Sequence, residues 1–312
     1  MLYLSAVLLN IMMLFLLPNQ AVLGQRLVIS SICVLYFCLY FLFTHSQWVA
    51  NLQGKKLSLL RLFIAAIALS SFFCFLVKGH LSFTDFEMIF LVYAIPFGLL
   101  LPTRQTFAKF HPLDFLVFLA IFIPLEINVV TLPLIALPNV LSFDGIFMVS
   151  VLFTLFVYVV FRQIDIGLHL VKDKQKWLET IGLSILLIFI EIVVGTHFHV
   201  IKFVGWQLNI PNTFSLIVFM LFNAAFLEEI FFRGLIYNYL VQYLAKFHTY
   251  LPLALNTFLF GLTHLDNGGM PMFYLSSIAG LFYCVVYMRT RSIFCATLIH
   301  ALTNICWKLF FV

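Results

Sequence analysis

Three charged side chains, Glu228, Glu229 and Arg233, lie inside one long apolar stretch of the chain. A charged side chain within a bilayer costs roughly 2.5–3.5 kcal/mol, so each of the three needs a structural or a functional reason. Glu229 and Arg233 are four residues apart and share a helix face, which predicts an ion pair. Glu228 is rotated by about 100° from Glu229 on a helix. Its carboxylate can therefore point towards a cavity without being neutralised by the same arginine.

Two histidine motifs follow in later apolar stretches. Phe260 and His264 are four residues apart, as are His300 and Asn304, so each pair shares one helix face. A lone buried histidine is more often a structural residue than a catalyst, but two such pairs after a pair of carboxylates favour a common site. A structural network of buried charges is the alternative interpretation.

The polar side chains Glu228, His264, His300 and Asn304 are suited to hydrolysis of a peptide bond without a seryl or cysteinyl nucleophile. Such a reaction needs a base that activates water and donors that stabilise the oxyanion of the tetrahedral intermediate. Glu228 is the expected base, and His264 could share or relay its proton. His300 and Asn304, one helical turn apart, could donate hydrogen bonds to the oxyanion.

Membrane-spanning helices must position these residues. Hydrophobic residues make up 64% of the 312 residues and charged residues 9%, with a mean hydropathy of +1.12. Apolar runs long enough to cross a core of roughly 30 Å recur along the chain, and they are continuous rather than alternating. They predict an all-α, polytopic bundle of about 9–11 transmembrane helices. The candidate helices lie near residues 2–18, 27–45, 58–77, 88–101, 115–137, 146–161, 178–196, 214–245, 251–264, 271–288 and 292–311.

The positions of the basic residues predict the topology. Most of the 17 Lys and Arg residues lie in alternate loops, which are expected to be cytoplasmic together with the N-terminus. A multi-pass protein of the cell inner membrane is therefore expected. The most basic connection, residues 162–176, is the predicted boundary between an N-terminal helical region of unknown role, 1–176, and the region that carries the chemistry, 177–312. The basic residues form no continuous stripe, which argues against a nucleic-acid partner.

Taken together, the three motifs resemble the signature of the CPBP family of intramembrane proteases. This family includes the type II CAAX prenyl endopeptidases and the Abi and bacteriocin-processing membrane proteins. The motifs occur in the family's order and extend the resemblance over roughly Trp177 to the C-terminus. In this sequence they read Glu228-Glu229-x-x-x-Arg233, Phe260-x-x-x-His264 and His300-x-x-x-Asn304.

The resemblance implies a mainly helical, metal-free and cofactor-free endopeptidase site. Glu228 and His264 would activate water, while His300 and Asn304 would form the oxyanion site. Glu229, Arg233 and Phe260 are then supporting residues. The expected partners are the lipid bilayer and a membrane-associated peptide or protein, and the sequence does not decide whether that substrate is prenylated.

Three other functions are compatible with these residues. A zinc peptidase could use Glu228, His264 and His300 as ligands, although no H-E-x-x-H motif is present. A transporter could use buried Glu and His residues as a proton relay, but its polar groups are expected in both halves of the chain. A non-catalytic membrane immunity or scaffold protein is the third alternative. The clustering of the polar motifs in the last third of the chain favours a local site.

Other polar residues in apolar stretches have a weaker link to this chemistry. Glu191 is expected either to line the same cavity or to have a structural partner. Glu126 has no visible link to the site. His197 and His199 are two residues apart near a helix end, so an interfacial position is favoured over a metal site.

Overall fold

The computed structural model describes residues 42–43, 46–53, 58–103, 108–126, 135–136, 142–143, 145–206, 213, 216–217 and 219–311. The chain divides into two compact units, Met1–Ile164 and Asp165–Val312. These units differ from the predicted regions 1–176 and 177–312 in residues 165–176, which belong to the second unit. The functional division at residue 176 stays a prediction. The helix predicted near 2–18, and nearly all of the helix predicted near 27–45, lie outside the described residues.

The unit that ends at Ile164 consists mainly of apolar helices. They are α1 (Ser46–Gln53), α2 (Leu59–Lys78), α3 (Phe83–Leu100), α4 (Asp114–Glu126) and α5 (Gly145–Leu155), and α5 continues into a π-helical segment, Phe156–Phe161. Residues Ile135–Ala136 and Ser142–Phe143 form a short antiparallel pair of strands, β1 and β2. The helix predicted near 115–137 therefore ends earlier than expected. Pro133 and Pro138 flank β1, and proline disfavours a continuous helix.

A buried ion pair fixes the entrance of α4 against the end of the π-helical segment. Arg162 Nη1 lies 2.5 Å from Asp114 Oδ1, and both side chains are almost completely buried. Arg162 Nη2 also donates to the carbonyl of Lys109 at 2.8 Å, and the Tyr158 hydroxyl donates to Asp114 Oδ1 at 3.3 Å. Each buried charge is thus satisfied by an opposite charge, which is the arrangement that burial requires.

The unit that begins at Asp165 contains the three predicted motifs. Its helices are α6 (Lys174–His197), α7, α8 (Leu251–Leu262), α9 (Gly269–Thr290) and α10 (Ile293–Phe310), and α7 consists of the consecutive segments Met220–Ala224, Ala225–Glu229, Ile230–Tyr237 and Asn238–Leu244. The first and third of these segments are π-helical. Helix α9 packs against α6, α8 and α10, and α10 also packs against α6 and α7. The acidic motif, on α7, is therefore adjacent to the second histidine motif, on α10.

Several helices have the length and composition needed to cross a membrane. Four of them qualify among the described residues: Phe83–Thr103, Lys174–His197, Gly269–Thr290 and Ile293–Phe310. Shorter apolar helices include Asp114–Pro124 and Leu251–Leu262. The prediction of an all-α, polytopic membrane protein is confirmed. The total of about 9–11 transmembrane helices includes parts of the chain outside the described residues and stays a prediction.

Candidate active site

Glu229 is the centre of the polar cluster on α7. Its side chain is fully buried, and its Oε1 accepts a hydrogen bond from Arg233 Nη1 at 2.9 Å. The same oxygen lies 2.8 Å from Nδ1 of His300. Because a carboxylate oxygen accepts, His300 Nδ1 carries the proton and donates it. The predicted ion pair is therefore present, and it has a third member from a helix far away in the sequence.

Arg233 connects α7 to α9 and to the aromatic residues of the site. Its Nη2 donates to the backbone carbonyl of Gly280 at 2.9 Å. Its guanidinium carbon lies 4.5 Å from the ring centroid of Phe260 and 5.3 Å from that of Tyr283, which are cation–π distances. Phe260, predicted as a supporting residue, thus packs directly against the buried cation.

Gly280 allows this close packing. A Cβ atom at position 280 would lie 2.9 Å from Cδ1 of Phe260 and 3.3 Å from its Cβ and Cγ. Phe260 has 1% of its surface exposed, so its ring is enclosed by neighbouring residues. The absence of a side chain at Gly280 therefore permits the position of the Phe260 ring.

The His300 ring is held by two aromatic contacts and by a hydrogen bond at Nδ1. Its ring stacks on Tyr283, with centroids 4.4 Å apart and an interplanar angle of 16°, and meets Phe260 edge to face. With Nδ1 fixed by Glu229, Nε2 lies 3.8 Å from Oε2 of Glu228. That separation is too long for a direct hydrogen bond and suits a bridging water. The Glu228 side chain is 27% exposed, whereas that of Glu229 is inaccessible.

His264 lies in the turn that follows α8. The helix ends at Leu262, two residues earlier than the predicted end, and the imidazole of His264 is half-buried. Its Nδ1 lies 3.0 Å from the carbonyl oxygen of Phe260 and 3.1 Å from the hydroxyl of Thr263. Since a carbonyl only accepts, Nδ1 donates to Phe260. In the neutral ring Nε2 is then an acceptor, which is the form that can receive a proton from water.

A cavity of about 60 Å³ joins three of the four predicted catalytic residues. His264, His300 and Asn304 line it together with other residues that include Glu191 and Tyr283. This volume accommodates a few water molecules, because one water needs roughly 10–15 Å³ of such space. Glu228 is not among the lining residues, and its closest described link to the cavity is the Nε2 atom of His300.

Glu191, on α6, both lines the cavity and has a hydrogen-bond partner. Its Oε2 accepts from the indole Nε1 of Trp307 at 2.9 Å, and 2% of the residue surface is exposed. Sequence reasoning named Glu191 but missed Trp307. The spacing of Trp307 could have linked it to the site, because Trp307 follows Asn304 by three residues and shares its face of α10.

The hydrogen bonds and ion pairs described above do not involve the other histidines named from the sequence, His197 and His199. His197 ends α6, and both His197 and His199 are exposed. The side chain of Glu126 lies outside the described part of the structure. Within the residues that the structure describes, no group of three or more His, Cys, Asp or Glu side chains is arranged to hold a metal ion.

Comparison with known proteins identifies a relative of the region that contains the site. Residues 210–306 match the family model described as type II CAAX prenyl endopeptidase Rce1-like, which is a little under a third of the chain. No curated protein and no solved structure matches the chain. The matched residues include every motif residue from Glu228 to Asn304. The predicted resemblance is thereby confirmed: residues 210–306 are similar to the Rce1-like type II CAAX prenyl endopeptidases.

Proposed function

We propose that this chain is an intramembrane endopeptidase that uses water activated by Glu228 and His264. The observation that carries the proposal is the linked arrangement of Glu228, His300 and Glu229 next to a cavity lined by His264 and Asn304. The family match supports a prenylated peptide with a CAAX ending as the substrate class to test first.

Water activation is assigned to the two groups that can accept a proton. Glu228 is the more accessible carboxylate of the acidic motif, and Nε2 of His264 is an acceptor in the neutral ring. A water held between them would lose a proton to Glu228 while its oxygen attacks the scissile carbonyl. The same proton then passes to the leaving amine when the carbon–nitrogen bond breaks, so that Glu228 returns to its initial state.

The oxyanion site is assigned to His300 and Asn304, which lie one turn apart on α10 and line the same cavity. Asn304 can donate from its amide nitrogen. His300 already donates Nδ1–H to Glu229, so donation from Nε2 requires the imidazolium form. Glu228 and Glu229 lie on two sides of this ring and stabilise that charge. With a charged His300, the two carboxylates, Arg233 and the imidazolium sum to zero net charge.

The arrangement in the membrane is proposed from the distribution of charge. The excess of Lys and Arg in alternate loops supports a cytoplasmic N-terminus and an inner-membrane location. Cysteine mapping with a membrane-impermeant reagent tests this orientation. A cysteine introduced in the connection 162–176 is expected to react in cells only after the membrane has been permeabilised. Labelling of that cysteine in intact cells would contradict a cytoplasmic position.

The decisive experiment is cleavage of a farnesylated fluorogenic CAAX peptide by the purified full-length chain in liposomes. Release of the C-terminal fragment is expected for the wild type and for Glu179→Gln, a control on α6 whose side chain is 40% exposed. Glu228→Gln keeps the size and polarity of the side chain but removes the proton acceptor, so turnover should be abolished. A Glu228→Gln chain with wild-type activity would exclude this mechanism.

A further inference from the structure

Glu191 differs from other buried carboxylates of the described chain in the charge of its partner. Asp114 and Glu229 are each paired with a buried arginine. Glu191 is equally buried, but no ion pair connects it to a Lys, Arg or His in the described part of the chain. Its hydrogen-bond partner is the neutral indole of Trp307. Glu191 is thus a buried acid that has, among the described residues, no counter-ion of the kind found for the other two.

Glu191 lines the cavity, and one of its two carboxylate oxygens is not used by Trp307. Trp307 occupies Oε2, and no hydrogen bond to Oε1 occurs within the described residues. Glu191 lines the cavity together with His264, His300 and Asn304. A carboxylate has about four lone-pair sites, so a single indole leaves most of its accepting capacity unused. A donor that enters the cavity can use that capacity.

The cavity supplies no counter-ion for this carboxylate, because the charge proposed for His300 is balanced by Glu228 and Glu229. Its lining residues include no lysine and no arginine, and Glu191 is the one carboxylate among them. Burial of a carboxylate without a counter-ion is unfavourable, and a ligand with a positive charge removes that penalty while making a charge-assisted hydrogen bond. The chemistry of the cavity therefore favours a cationic group over an anionic one.

The position of Trp307 indicates where such a group would lie relative to the cleaved bond. Trp307 follows the proposed oxyanion donor Asn304 by three residues on α10, a rise of roughly 5 Å at 1.5 Å per residue. An extended peptide advances roughly 3.3–3.6 Å per residue. A substrate side chain that reaches Glu191 thus belongs to a residue one or two positions from the scissile bond.

We infer that Glu191 is a specificity residue that binds a basic side chain of the substrate, one or two residues from the cleaved bond. This inference rests on the proposed peptidase function and adds to it the class of substrate side chain. Trp307 positions the carboxylate by holding Oε2, and Oε1 receives the ammonium or guanidinium of the substrate.

The test compares two farnesylated peptides that differ only by lysine or norleucine, placed in turn at each position one or two residues from the cleaved bond that the farnesylated cysteine does not occupy. At one of these positions the wild-type chain should favour lysine by at least about tenfold in kcat/KM, which corresponds to roughly 1.4 kcal/mol. Glu191→Gln still accepts from Trp307 but lacks the charge, so the ratio should fall towards one. Glu179→Gln, on the same helix, should keep the wild-type ratio.

A binding measurement separates failure of this inference from failure of the proposed function. The same peptides, carrying a fluorescent label, are bound to Glu228→Gln and to Glu228→Gln/Glu191→Gln, and their fluorescence anisotropy is measured. This measurement does not require turnover. Preference for lysine in the single variant and its loss in the double variant support the role of Glu191 even if the wild type cleaves neither peptide. A lysine preference that is absent in both readouts, or that survives Glu191→Gln, overturns the inference.

Discussion

His300 donates its Nδ1 proton to Oε1 of Glu229 across 2.8 Å, and this oxygen also accepts from Arg233. A residue proposed to stabilise the oxyanion is therefore oriented by a carboxylate whose charge is already compensated. The hydrogen bond fixes the tautomer of the ring, in the way that carboxylate partners orient catalytic histidines in other sites. The two neighbouring glutamates thus differ in their surroundings: Glu229 is fully buried against His300, and Glu228 is more accessible.

Loss of the positioning charge should reduce activity through His300. In Glu229→Gln the amide oxygen can still accept one hydrogen bond, but it no longer stabilises a charged imidazole. The hydrogen-bonded partners of metal-ligating histidines contribute about 10–100-fold in activity, and we expect kcat for the farnesylated peptide to fall by a similar factor with a smaller change in KM. Steady-state kinetics in liposomes measure both values. An unchanged kcat would show that His300 does not depend on Glu229.

The base and the oxyanion donor should differ in residual activity. Glu228→Gln is expected to remove turnover. Asn304→Ala removes one donor, for which losses of about 100–1000-fold in rate are typical. Single-turnover measurements on folded variants compare the two effects. Equal residual activity in the two variants would contradict the assignment of different roles.

Removal of the buried cation should destabilise the chain. Arg233→Ala leaves Glu229 buried without its arginine, and the loss of one partner of such a pair costs about 3–5 kcal/mol. Arg289→Ala is the control, because Arg289 is 60% exposed and 3.9 Å from Glu179, and exposed pairs contribute about 0–1 kcal/mol. Unfolding in detergent and the yield of folded protein measure the difference. Similar stability of the two variants would disprove the structural role of Arg233.

The packing of Phe260 on Gly280 predicts a steric effect. Gly280→Ala places a methyl group 2.9 Å from the ring and should cost about 1–3 kcal/mol, as overpacked sites do. The same substitution at Gly182 meets no atom within 4 Å and should be neutral or stabilising, because alanine favours helices. Thermal unfolding of both variants gives the comparison. A stable Gly280→Ala variant would indicate that Phe260 can move.

The features that could be predicted from the sequence depend on local spacing and composition. Helix geometry places Glu229 and Arg233 on one face, and the apolar runs predict helices that cross a membrane. The order of the three motifs was sufficient to predict the family resemblance over the region that contains them. Each of these inferences uses residues that are close in the sequence, or composition averaged over many residues.

Other features depend on how distant helices pack, which spacing within one helix does not encode. The contact between Glu229 and His300 joins residues 71 positions apart. The hydrogen bond between Glu191 and Trp307 spans 116 positions. His264 lies in a turn because α8 ends at Leu262, a boundary set by the local backbone rather than by hydrophobic periodicity. Tertiary packing thus determines which polar side chains meet.

The π-helical segment Ile230–Tyr237 has a consequence for changes in chain length. Its hydrogen bonds join residues five apart, so each wide turn contains more chain than an α-helical turn. Deletion of a single residue there can be absorbed by conversion to an α-helix, with the helix remaining continuous. Because an ordinary turn then replaces a wide one, the acidic motif would rotate relative to Asn238–Leu244 by much less than the turn of about 100° that a deletion from an α-helix causes. A one-residue deletion in this segment should therefore leave the two glutamates near His300 and α7 continuous, whereas the same deletion in an α-helical segment would turn the flanking residues away.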